Sequence, residues 1–179
     1  MTDDEILDAV LAREGGFRAA VRRPDGSIDP DTMYGVTAPV LGEWRKLGRP
    51  ATIAELQAMP ISEAREIFRM RYIIGPGFTP VNVPFAPLRE QLIDFGINSG
   101  PARAIRWLQR VLGVPETSTL DDRTKRALTA HAGRLVNDAL VAARSYMIDR
   151  AVDTGAMRKA DEEGVESRAL SFFLSKPTT

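Results

Sequence analysis

At 179 residues, with 44% apolar and 27% charged residues, the chain is long enough for one domain with a full core or for two small ones. Its 24 Lys and Arg balance its 24 Asp and Glu, so it carries no electrostatic footprint for nucleic acid, and no such partner is expected. Absence of Cys excludes disulfides, thiol nucleophiles and thiolate metal sites, and a lone histidine, His131, cannot build a His-rich centre; neither a metal nor a cofactor is expected.

The N-terminus, Met1-Thr2-Asp3-Asp4-Glu5, is acidic and lacks the basic region and apolar stretch of a secretory signal. Thr2 with Glu5 three residues on makes a capping box and starts a first helix. Ile6, Leu7, Val10 and Leu11 form its apolar stripe, Glu14 extends that stripe, and Gly15-Gly16 ends the helix. A polar excursion follows to Val36, with a small hairpin expected to turn at Pro24-Asp25-Gly26-Ser27. Short helices are predicted over Pro39–Lys46, from a Thr52/Glu55 capping box to about Met59, and from a Ser62 cap through Ala64, Ile67, Phe68, Arg71 and Tyr72.

Residues 75–87 hold four prolines and two glycines, which reads as a connector or as a loop laid over a groove. A helix over Leu88–Gly96 joins Leu88, Leu92 and Phe95 on one face, and Asn98-Ser99-Gly100-Pro101 reads as a tight stop and restart. Ala104, Ile105, Leu108, Val111 and Leu112 make the next stripe. Asp121 or Asp122 caps a helix through Leu128, with His131 near its end. The longest helix spans Arg134–Thr154. A charged turn from Lys159 to Gly164 leads to a last helix carrying Leu170, Phe173 and Leu174. No apolar run approaches the ~20 residues of a membrane span, so no integral membrane segment is expected.

The chemistry converges on Glu14. A carboxyl group at the edge of an apolar stripe and at the negative end of a helix is set up to hold a proton, as a general acid must. A solvated last-turn carboxylate, paired with Arg13 or Arg18, is the plainer alternative. A general acid works with a second group, a carboxylate or a positioned water. The excursion offers Asp29 and Asp31, with Asp25 read as a turn former. Thr37 can hold a water or cap the helix after it. Tyr34, Phe17 and Tyr72 can offer flat stacking faces or pack in the core, and Asn98 and Ser99 can hydrogen-bond a ligand or link helices. Asp94, beside Phe95 on a helix, would be semi-buried and need a donor such as Arg103. Trp107 reads as core.

Glu14-Gly15-Gly16-Phe17, Asp29-Pro30, Tyr34-Gly35-Val36-Thr37, Asp94-Phe95-Gly96-Ile97-Asn98-Ser99-Gly100 and the Ala104–Gly113 run stand in the order seen in glycoside hydrolase family 108. The chain resembles these lysozyme-like muramidases of phages, prophages and secretion systems. It departs from them in a longer middle loop without paired glycines, in Tyr72-Ile73 where an aromatic pair is common, and in Gly164-Val165.

The resemblance implies a mainly α, lysozyme-like fold with one small β-hairpin. It implies a catalytic half over 1–87 and a helical, peptidoglycan-binding-like half over 88–179, packed as one body. The implied substrate is the peptidoglycan glycan strand, cut between N-acetylmuramic acid and N-acetylglucosamine. Glu14 is the acid, Asp29 its partner, and Thr37 the water-holding alternative. Tyr34, Tyr72, Asn98 and Ser99 are the implied substrate contacts. Without a signal peptide, release to the cell wall would fall to a holin or a secretion apparatus. A wall-binding protein that does not cut, or a structural phage or secretion component, is the competing reading.

Overall fold

The computed structural model describes residues 1–22, 26–154 and 159–174. Within them the chain is mainly helical and lysozyme-like, with nine α-helices and five two-residue strands. It divides into two compact units, Met1–Arg71 and Tyr72–Thr179. No helix among the described residues is long and apolar enough to cross a membrane.

In the first unit, α1 (Asp3–Glu14) starts as its sequence dictates. The Glu5 N–H donates to Thr2 Oγ1 at 3.2 Å, and the Thr2 N–H to Glu5 Oε2 at 2.7 Å. Ile6, Leu7, Val10 and Leu11 are buried, each such burial stabilising by about 1.5–3 kcal/mol. The excursion then carries β1 (Phe17–Arg18), β2 (Val21–Arg22), β3 (Ile28–Asp29), β4 (Thr32–Met33) and β5 (Val36–Thr37). It folds as two small antiparallel sheets, β1-β4-β5 and β2-β3, where one hairpin was expected. The Ala20 N–H donates to Asp31 Oδ1 at 3.0 Å, which pinches the chain between the two sheets. The turn expected at Pro24-Asp25-Gly26-Ser27 falls partly on residues 23–25, outside the described residues.

Helix α2 (Ala38–Trp44) follows β5 directly, and α3 (Ile53–Gln57) opens on the expected Thr52/Glu55 capping box. In α4 (Ile61–Arg69), Ala64, Ile67 and Phe68 are buried and the helix packs against α1. Its N-cap is Pro60, not Ser62: Pro60 is extended at φ −71° and ψ 150°, and its missing N–H costs nothing ahead of the first turn. A π-helical turn, Met70–Ile74, ends the run and contains the division between the units.

After the π-helical turn the second unit continues through residues 75–85, which form neither helix nor strand but are anchored by buried Phe78 and Val83. Five helices follow: α5 (Ala86–Ser99), α6 (Pro101–Val111), α7 (Asp122–Ala130), α8 (Gly133–Asp153) and α9 (Lys159–Leu170). Leu88, Leu92, Phe95, Leu108, Leu140 and Ile148 are buried among them. Asn98 and Ser99 are the last turn of α5, not a break after it; Gly100, at φ +87°, makes the break. The stretch from Lys159 to Gly164 is helical where a charged turn was expected. Trp107 is only partly buried and carries the Arg110 guanidinium 4.5 Å from its ring centroid, so its flat face serves a cation rather than the core.

Candidate active site

Glu14 is the final residue of α1, and the chain leaves the helix through Gly15 at φ +68°. Its side chain is 29% exposed. Arg18, four residues on in β1, places Nη2 at 3.5 Å from Glu14 Oε2, but Arg18 is itself 66% exposed, so the pair is a weak, solvent-screened tether.

The β4–β5 hairpin also packs against this carboxylate. Its two-residue turn, Tyr34-Gly35, has positive φ at both positions, +51° and +77°, as a type I′ turn requires. Gly35 lies so close to Glu14 that a Cβ built on it would sit 2.9 Å from Glu14 Cγ, Cδ and Oε2. Only a glycine satisfies both the left-handed backbone and the contact. The return through Tyr34-Gly35 therefore serves as a platform for the carboxylate.

Register extends the constellation. Arg18, Thr32 and Thr37 lie in one cross-strand row, and Phe17, Met33 and Val36 in the next. Thr37 also caps α2, accepting the Val40 N–H at 3.5 Å, so its capping role is realised. Thr32, not singled out from the sequence, is buried, and its hydroxyl has no hydrogen-bond partner among the described residues. Asp29 is half-buried in β3 opposite Val21. The second acidic candidate, Asp31, is engaged with the Ala20 amide. The structure thus brings Glu14 together with the hairpin that carries Tyr34, Gly35 and Thr37, and puts Asp29 on the separate β2–β3 sheet.

Tyr72, Asn98 and Ser99 belong to the second unit. Tyr72 is half-buried in the π-helical turn. Asn98 turns inward on its own helix: Nδ2 donates to the Asp94 carbonyl at 2.7 Å and approaches Asp94 Oδ2 at 3.4 Å. Asp94 is buried, and its donors are Arg144 Nη2 at 2.8 Å and Arg168 Nε at 2.6 Å, not Arg103. These come from α8 and α9, which fold back on α5 from far along the chain. Arg144 also lies over the Phe95 ring at 4.8 Å. Burial pulls its guanidinium below the ordinary arginine range, and Asp94 works in the opposite direction. His131 ends α7, exposed, with Nδ1 donating to the Ala127 carbonyl at 2.8 Å, a local capping contact.

Chemically, the first unit offers a half-buried carboxyl group on a helix end, held against a glycine turn. That arrangement suits proton delivery to an ether oxygen.

The family model described as glycosyl hydrolase 108 matches residues 7–100, more than half of the chain. Among solved structures, that of Brucella abortus SagA superposes with a TM-score of 0.72 at 28% identity, covering 98% of this chain and 98% of that one. No curated protein matches.

Proposed function

We propose, for a chain that belongs to the glycosyl hydrolase 108 family, that it cleaves the glycan strand of peptidoglycan between N-acetylmuramic acid and N-acetylglucosamine. The carrying observation is the seat of Glu14 at the end of α1, against the Tyr34-Gly35 turn. Glu14 delivers its proton to the glycosidic oxygen as the bond from that oxygen to the anomeric carbon breaks. The departing sugar leaves as an alcohol, and the anomeric carbon develops oxocarbenium character. Water then supplies hydroxide to that carbon, its proton passing to a base. Asp29 is the proposed second group, acting as nucleophile or as base. A water held by Thr37 is the alternative, because Thr37 shares the hairpin that seats Glu14. Tyr34, at the rim of the same turn, is the proposed stacking face. Tyr72, Asn98 and Ser99 are proposed contacts of the second unit with the substrate. Action is at the cell wall, reached through a holin or a secretion apparatus.

Glu14→Gln tests the reading. It keeps the shape of the side chain and removes the transferable proton. The variant should leave a peptidoglycan suspension turbid while its circular dichroism spectrum matches that of the parent. Undiminished clearing by Glu14→Gln ends the assignment. If the parent chain also fails to clear but sediments with insoluble wall, it is a wall-binding protein.

A further inference from the structure

In the second unit, Asn98 and Ser99 border a cavity of about 140 Å³ whose other walls include Phe95, Arg144, Met147 and Val165. Most of that wall is apolar. Its charged member, Arg144, has its side chain only 4% exposed. Arg144 Nη2 donates to Asp94 Oδ2, whereas Nη1 is buried without a hydrogen-bond partner. A guanidinium has five N–H donors and no acceptor, and a buried charged donor left unmade is unfavourable. Asp94 does not compensate it alone, because the same carboxylate also receives Arg168 at 2.6 Å. Among the described side chains, one carboxylate thus answers two guanidinium groups. A second carboxylate would supply both the missing acceptor and the missing charge.

We infer that this cavity binds a small carboxylate, its oxygens on Arg144 Nη1 and its short apolar remainder against Met147 and Val165. The volume falls below the ~300–1,000 Å³ of ordinary ligand pockets, which limits the guest to a carboxylate and a few carbons. The apolar walls favour such a guest over an inorganic anion, which could take the same contact with Arg144 Nη1 but would gain nothing from Met147 and Val165. Two sources share the chemistry: a free short-chain acid, and the C-terminal carboxylate of a short peptide. The peptide source rests on the peptidoglycan reading above, since such strands bear short peptides; the free acid does not.

The test uses the whole chain. Sodium propionate, N-acetyl-D-alanine and its neutral amide are titrated by calorimetry, and thermal unfolding is followed against sodium chloride at equal ionic strength. Propionate should bind and raise the melting temperature beyond chloride, with no effect from the amide. Val165→Phe fills the cavity but leaves Asp94, Arg144 and Arg168 in place, and should weaken binding at least tenfold. Met147→Phe is the second filling variant, should the first fold poorly. Binding of N-acetyl-D-alanine as well would assign the peptide source, and binding of propionate alone the free acid. No shift beyond chloride, an equal response to the amide, or undiminished binding in both filled variants overturns the site. None of these outcomes depends on glycan cleavage, which the Glu14→Gln clearing assay decides separately.

Discussion

A methyl group at Gly35 would meet Glu14 Cγ, Cδ and Oε2 at 2.9 Å, on a backbone held at φ +77°. Gly48 has a similar φ, +68°, but nothing within 4 Å. Gly35→Ala and Gly48→Ala should therefore share a backbone penalty of about 1–2 kcal/mol. Only Gly35→Ala should also displace the carboxylate, and a displacement near 1 Å costs on the order of 100-fold in rate. Urea unfolding and peptidoglycan clearing by the two variants check this; equal rate losses would show the Glu14 contact to be incidental. The excursion aspartates divide in the same way. Asp31→Ala removes the acceptor of the Ala20 N–H and should lower stability by about 1 kcal/mol. Asp29→Asn keeps the shape of its side chain and should lower clearing far more than it lowers the melting temperature. An Asp29→Asn protein that clears normally would leave the second role to Thr37 and a water.

At the scale of elements, short helices and loops depend on a few polar staples. Gln109 of α6 is fully buried, with Nε2 within 3.0 Å of Thr117 Oγ1, the Thr119 carbonyl and Thr124 Oγ1. Its Oε1 accepts the Ser118 N–H at 3.0 Å. One side chain thus fixes the whole connection from α6 to α7. Gln109→Ala leaves a cavity and stranded polar groups, and should cost about 2–4 kcal/mol in urea unfolding. The five-residue α3 depends on Glu55, which bonds Arg49 through both oxygens and accepts the Thr52 N–H. Those donors, Arg49 foremost, lower the Glu55 carboxyl to about 2. A lowered folded value means the contribution is present above the ordinary range near 4.5 and fades as pH falls towards 2. Glu55→Gln should therefore melt below the parent at pH 7, with the gap closing in acid. A gap that is constant down to pH 2 would mean the ion pair contributes nothing.

Over the molecule, the second unit is tied across its length by Asp94. This carboxylate on α5 receives Arg144 from α8 and Arg168 from α9, 50 and 74 residues later. Removing it strands Arg144, 3% exposed, without its counter-charge. Breaking a buried pair in this way costs about 3–5 kcal/mol, so Asp94→Ala should lower the urea midpoint more than any single change on the exposed Asp4–Arg69 or Asp8–Arg65 pairs of α1 and α4. Near-parent stability for Asp94→Ala would show that the cluster is compensated from elsewhere.

Local physics was legible in the sequence: the Thr2/Glu5 and Thr52/Glu55 boxes, the stripe of Ile6, Leu7, Val10 and Leu11, the Thr37 cap and the helical periodicity of α6 all depend on residues within a turn or two of one another. Charge, composition and the absence of cysteine likewise needed no fold. Tertiary structure alone decided which distant groups meet. The seat of Gly35 on Glu14 joins residues from a helix end and a hairpin turn, and the split of the excursion into two sheets depends on an Ala20–Asp31 bond across eleven positions. That Arg144 and Arg168, rather than Arg103, answer Asp94 follows from helices folding back over 50 and 74 residues. Periodicity reports which face of a helix is apolar; it carries no information about which helix that face will meet.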